Sequence, residues 1–165
     1  MSVTSQMKIF VTAGTQLPFD RLLKAVDEWA GQNPNAKVTA QAAKDEYHCK
    51  HIRVEQFLSP LEFEGCVSEA DLLIAHAGMG TILTAIELAI PLVIMPRQFQ
   101  LSEHRNDHQA STAAKFCGYP GIYIVNSLAE LTEVIGNSDS LVKPIKTKSF
   151  EKTQLIDYLQ QQVIN

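Results

Sequence analysis

The chain has 165 residues, 45% apolar and 19% charged, enough for one compact domain with its own core. Fourteen Lys and Arg against eighteen Asp and Glu leave a net charge of −4, and a mildly acidic chain without a basic tract argues against nucleic-acid binding. Cys49, Cys66 and Cys117 form no CxxC pair, which argues against a zinc ribbon or a disulfide framework and points to a reducing cytoplasm.

Residues 8–13 (KIFVTA) read as a buried strand turned by Gly14. A helix over 19–31 follows, with Leu22, Leu23, Val26, Trp29 and Ala30 at helical spacing and Gly31 in the C-cap position. Residues 37–42 and 52–57 read as two short strands. Ser59 and Pro60 open a helix that runs to about Ala70, Ser as N-cap and Pro in the first turn. Residues 72–75 form a strand, 76–80 a glycine loop, 81–89 a helix and 92–95 a strand closed by Pro96. A helix over 104–117 stopped by Gly118, a strand over 122–125, a helix over 127–135 capped by Ser127 and a terminal helix over 149–163 complete the pattern. Strands alternating with helices at this spacing define an α/β domain, a parallel sheet with helices on both faces.

No charged segment followed by an apolar one opens the chain, and the apolar runs around 72–75 and 88–95 fall far short of the ~20 residues of a membrane span. No membrane span of its own is expected; membrane contact comes from a partner or from the surface.

In open α/β sheets ligands bind beyond the carboxyl ends of the strands, and three loops leave those ends, 13–18, 76–81 and 96–106. In His76-Ala77-Gly78-Met79-Gly80-Thr81 the glycines permit close backbone approach, and the helix opening at Thr81 offers free N–H groups to a phosphate; the alternative is a tight strand-to-helix turn. Leu83 stands where a dinucleotide fingerprint needs its third glycine, and no Gly-Lys-Ser/Thr occurs. Gly14 and Thr15 either approach a phosphate or turn the chain. The stretch with Arg97, Glu103, His104, Arg105, Asn106, Asp107, His108 and Gln109 carries the side-chain types that hold sugar hydroxyls, or forms a solvated helix start. His48, Cys49 and His51 are metal-capable, but nothing completes a site at metal spacing.

Several of these stretches together carry a family resemblance: FVTAGT (10–15) with PFDRL (18–22), ADL (70–72), HAGMGT (76–81), PLVIMPR (91–97), Glu103-His104 with Asp107-His108-Gln109, and Lys143-Pro144 with Phe150. The chain resembles the carboxyl-terminal, donor-binding domain of the MurG-like glycosyltransferases of the GT-B fold (glycosyltransferase family 28). It is most similar to small free-standing versions of that domain, the small subunit of the eukaryotic dolichol-linked N-acetylglucosamine transferase and bacterial exopolysaccharide and capsule subunits.

The resemblance implies a Rossmann-like half of a GT-B fold and a UDP-sugar as donor substrate, with no metal ion or other cofactor. Gly14 and Thr15, and the loop from Gly78 through Gly80 to Thr81, would face the diphosphate, with His76 at the head of that loop. Gln109 would lie near the donor sugar beside His108, with Arg97, Glu103 and His104 in the same cleft. Where the family often has an acid holding the ribose this chain has Thr84, and the nearest acid is Glu87; Gln16 stands where the family often has a histidine. A membrane-anchored partner subunit would supply the acceptor site and the general base, placing the chain in the cytoplasm against the inner face of the membrane. The terminal helix, with Leu155, Ile156, Leu159 and Val163 in a stripe, packs on its own sheet or crosses to that partner. The rival reading is a non-catalytic accessory subunit that activates a partner transferase.

Overall fold

The computed structural model describes residues 5–43 and 47–145. The expected terminal helix and Phe150 lie outside these residues. Six strands, β1 (Lys8–Thr12), β2 (Lys37–Gln41), β3 (Arg53–Glu55), β4 (Leu72–Ala75), β5 (Leu92–Ile94) and β6 (Ile122–Ile124), form one parallel sheet. Its order is β3-β2-β1-β4-β5-β6, that of a Rossmann-like doubly wound fold.

The near-continuous apolar strands are what a sheet covered on both faces requires. Ile9 and Val11 of β1, Leu72 and Ile74 of β4 and Val93 of β5 point to one face, where they meet α1 (Asp20–Gln32) and α5 (Leu128–Gly136). Phe10, Leu73, Ala75, Leu92 and Ile94 point to the other, against α2 (Pro60–Ser68), α3 (Met79–Leu88) and α4 (His108–Lys115). Ser59 caps α2 in a reciprocal box: the Glu62 N–H donates to Ser59 Oγ and the Ser59 N–H to Glu62 Oε2.

Three expected boundaries are corrected. Gly31 is not the cap of α1: the helix continues to Gln32, and Asn33 closes it by donating from Nδ2 to the Trp29 carbonyl at 2.8 Å. Gly31 makes room instead, because a Cβ there would lie 2.8 Å from Cδ2 of His51. The helix expected from Thr81 begins at Met79, with Gly78 as its N-cap. The helix expected over 104–117 starts only at His108; residues 99–101 form a 3-10 turn and Ser102 is left-handed at φ 58. Side-chain bonds to nearby backbone compete with a helix there: Glu103 accepts from the Gln98 N–H, His104 Nδ1 from the Asn106 N–H, and Asn106 Oδ1 from the His108 N–H.

The segment 47–52, between β2 and β3, contains no helix and is fixed by one buried carboxylate. Asp27 of α1, 1% exposed, accepts from the backbone N–H groups of Lys50, His51 and Ile52 and from the Tyr47 hydroxyl at 2.9 Å. Burial alone would raise its pKa, but these four donors hold it below the ordinary 3.8. Burial and the bond to Asp27 push Tyr47 up to about 12.

Beside β6, Gly121 adopts φ +80, and a Cβ there would fall 2.3 Å from the backbone nitrogen of Pro144. Gly121→Ala therefore combines an unfavourable backbone with a collision against residues 143–144. We expect a loss of about 2 kcal/mol or more in denaturant unfolding.

Candidate functional site

The strand order reverses between β1 and β4, and the loops leaving the carboxyl ends of β1, β4 and β5 converge there. After β1, Gly14 turns at φ +80; a Cβ on it would lie 3.4 Å from Cε1 of His76 and 3.8 Å from Nη2 of Arg97. After β4, the Gly78 N–H donates to the His76 carbonyl at 2.8 Å and α3 begins. No side chain caps α3, so the first-turn N–H groups at Met79, Gly80 and Thr81 are offered outward with the positive end of the helix dipole. The two glycines of this loop differ. A Cβ on Gly78 would sit 2.7 Å from Nε2 of His76, whereas one on Gly80 would meet nothing within 4 Å.

Gln109, buried at the start of α4, ties two of these loops together: Oε1 accepts from the N–H of Ala77 at 3.2 Å and of Arg97 at 3.0 Å. The two backbone donors fix the amide orientation and leave Nε2 for the cleft that Gln109 lines. His76 is held in the same way, its Nδ1 lying 3.2 Å from the Thr12 carbonyl. A carbonyl only accepts, so Nδ1 carries the ring proton and Nε2 presents a lone pair toward Gly14 and Gly78. Burial lowers the His76 pKa first, with Arg97 and His104 adding to the effect and the Thr12 bond opposing it.

Arg97 is 3% exposed, and its two terminal nitrogens donate to four backbone carbonyls, those of Ala13, Leu17, Pro18 and Glu103. Its guanidinium also lies 4.6 Å from the Phe19 ring centroid. Burial lowers its pKa and Glu103 opposes this, but an arginine starts high enough to stay charged. Glu103 is committed elsewhere, in a two-pronged pair with Arg21, Oε1 to Nε at 2.8 Å and Oε2 to Nη2 at 2.9 Å. Arg21 also donates to the carbonyls of Pro96 and Asn126. Arg21, Phe19 and Arg97 thus clamp the β1–α1 loop onto the β5–α4 loop.

These loops enclose a cleft of about 260 Å³ lined by Gly14, Thr15, His76, Arg97, His104 and Gln109 together with Ala13, Gln16 and Leu17. Larger depressions of about 590 and 500 Å³ lie at the opposite, amino ends of the strands. The site is placed at the smaller cleft, because the uncapped helix, the two close-approach glycines and the oriented imidazole and amide all meet there. Of the residues expected from the sequence, Gly78 is the N-cap of α3, Gly80 and Thr81 lie in its first turn, and Glu103 is paired with Arg21 rather than lining the cleft. His108 is exposed at the first position of α4 and does not line the cleft. Glu87 is exposed seven residues beyond Gly80, about 10 Å further along the helix axis, and the Thr84 hydroxyl turns back to the Gly80 carbonyl at 2.9 Å. Phe19 and Arg21 were not singled out as site residues; their presence in the PFDRL stretch was the available signal.

Among the described residues no group of three or more His, Cys, Asp or Glu is placed to hold a metal ion, and no helix is long and apolar enough to cross a membrane.

Sheet order and strand direction together define a Rossmann-like α/β domain. Residues 8–154 match the glycosyltransferase family 28 C-terminal domain, and the chain belongs to that family. One curated relative is the UDP-N-acetylglucosamine transferase subunit ALG13 of Cryptococcus neoformans, 40% identical over 48 residues; the match covers 28% of this chain and only 24% of that protein. The solution structure of ALG13 superposes with a TM-score of 0.64 at 18% identity, over 92% of this chain and 96% of that one. MurG of Acinetobacter baumannii gives 0.62 at 16% identity, over 85% of this chain and 44% of that one. UDP-GlcNAc 2-epimerase of Neisseria meningitidis, solved with UDP-GlcNAc bound, gives 0.59 at 9% identity, over 94% and 45%. At these identities the solved structures establish the shared fold.

Proposed function

We propose that this chain is the donor-binding subunit of a two-component inverting glycosyltransferase that takes a UDP-sugar as donor. The observation that carries the proposal is the convergence, at the β1/β4 switch point, of an uncapped helix N-terminus with Gly14, His76, Gly78 and Gln109. Membership of the family 28 C-terminal domain supports it. The UDP-linked names of the fungal relative and of the superposed epimerase favour UDP as the nucleotide.

In the reaction, an acceptor hydroxyl attacks the anomeric carbon from the face opposite UDP. The new glycosidic bond forms as the bond from the anomeric carbon to the β-phosphate oxygen breaks, and UDP leaves with the bonding pair. The α3 N–H groups and the loop at Gly14 stabilise the negative charge that develops on the diphosphate, as fixed dipoles that need no reorganisation. Fixed dipoles do this without a metal ion or other cofactor. Gln109 Nε2 orients the sugar. The acceptor is a polyprenyl-diphosphate saccharide, held together with the general base by a membrane-anchored partner subunit that keeps this chain at the cytoplasmic face of the membrane. Gln109→Leu would strand the N–H groups of Ala77 and Arg97 and remove the sugar contact; activity of the assembled complex is expected to fall about tenfold or more.

A second reading is an accessory subunit with a vestigial pocket. What favours it is α3: Glu87 faces solvent far from the cleft and Thr84 is turned onto its own helix, so neither meets the ribose. Full activity of a complex carrying Gln109→Leu would select this reading over the first.

A further inference from the structure

We infer that His76 is a proton-coupled contact for the donor's diphosphate, neutral in the empty cleft and protonated at Nε2 when the anion enters. The inference rests on the donor-site reading above and goes beyond it by assigning an ionisation to binding.

The geometry leaves His76 little choice. Its Nδ1–H is spent on the Thr12 carbonyl, so in the neutral ring the atom that faces the cleft is an acceptor. Nε2 is also the atom that Gly78 makes room for, and the ring lies against Gly14, so it stands between the two loops where the phosphates would lie. A phosphate oxygen opposite a lone pair is repelled; opposite an N–H it gains a charge-assisted hydrogen bond. The change from one to the other needs one proton from solvent on Nε2 and no movement of the ring.

Nearby charge explains why the proton is absent beforehand. Arg97 is a buried guanidinium whose two terminal nitrogens donate to carbonyls, and Glu103, the acid next to it, is paired with Arg21. Among the described residues that line the cleft, His104 is the other group that titrates near neutrality, and Gln109 from α4 is neutral. Among the described residues no carboxylate lines the cleft to support an imidazolium, and burial, Arg97 and His104 all push the His76 pKa down. A diphosphate reverses that field. Between the free and bound pKa values of His76, donor affinity should then fall about tenfold for each unit rise in pH. Uridine, which brings no charge, should bind with no such dependence.

Calorimetry near neutral pH, in two buffers of different ionisation enthalpy, tests this with UDP-glucose and UDP-N-acetylglucosamine, whose phosphates stay ionised throughout. The expected result is uptake approaching one proton per UDP-sugar, none for uridine, and none for the UDP-sugar in His76→Gln. Binding without proton uptake would overturn this inference and leave the donor-site reading standing. Uptake that persists in His76→Gln and disappears in His104→Gln would overturn it in favour of His104. No binding of either UDP-sugar, by the chain or by the chain co-purified with its partner subunit, would remove both readings. Imidazole nitrogen NMR of the free chain is a check independent of any variant: a neutral His76 with its proton on Nδ1 is expected, and a proton on Nε2 there would overturn the inference.

Discussion

Asp27→Ala is expected to be among the most destabilising single substitutions in the described chain, costing about 3–5 kcal/mol in denaturant unfolding. The carboxylate accepts from three consecutive backbone N–H groups, Lys50, His51 and Ile52, and from Tyr47, all gathered onto one 1%-exposed side chain. Truncation strands four donors, each costing about 1–3 kcal/mol where water cannot reach it. The segment 47–52 covers α1 on the face where Tyr47, Cys49 and Ile52 pack against the core, so its release also exposes apolar surface.

The same substitution has a pH signature. The folded-state pKa of Asp27 is depressed, so its contribution is fully present above the unfolded value, near 3.8, and is lost as pH falls through the folded value. The stability gap between the native chain and Asp27→Ala should therefore be constant across the neutral range and narrow only below about pH 4. A gap that narrows instead between pH 6 and 8 would assign the effect to a histidine.

Gly78→Val is the second large effect, and it acts on binding. The backbone at Gly78 is extended, φ −95 and ψ 127, so a side chain is not excluded by conformation. Space excludes it: the first added carbon already lies 2.7 Å from His76 Nε2, and valine adds two methyl groups beyond that carbon. The ring must leave the Thr12 carbonyl or the helix start must shift, an overpacking cost of about 1–3 kcal/mol that falls on the site itself. UDP affinity is expected to drop about ten- to a hundredfold, and unfolding stability to fall by no more than the overpacking cost of about 1–3 kcal/mol. An unchanged affinity would mean that the nucleotide does not use this loop.

The strands were the most legible part of the sequence, for a physical reason. That holds for β1, β4, β5 and β6, short largely apolar runs of the kind a sheet covered on both faces demands, whereas β2 (KVTAQ) and β3 (RVE) carry a much weaker apolar signal. The glycine-marked features were half legible. Gly14 and the Gly78 loop announced a close backbone approach, but the sequence could not tell that Gly80 belongs to the first turn of α3 rather than to the loop, nor that Gly31 accommodates His51 from a segment twenty residues on.

The polar stretch 97–109 supplies three cleft-lining residues, Arg97, His104 and Gln109, but not the helix that its periodicity predicts from 104. Its helix is delayed to His108 by side-chain bonds to nearby backbone, which periodicity does not report. What was not legible was contact between distant residues. Arg21 and Glu103 are 82 positions apart, and Arg97 holds the carbonyls of Leu17 and Pro18 about 80 positions away. Only the folded sheet brings those loops together, so Arg97, expected at the donor, proves to have its terminal donors spent on building the loop that faces it.

A donor-binding role requires that the cleft between β1 and β4 take UDP. Titration of the purified chain with UDP, GDP, ADP and NAD by calorimetry measures this directly, with the same titration on the chain co-purified with its partner subunit. The account predicts a UDP signal that the other three nucleotides do not give and that Gly78→Val weakens. Equal binding of all four, a preference for NAD, or no UDP binding by either the chain or the complex would contradict it.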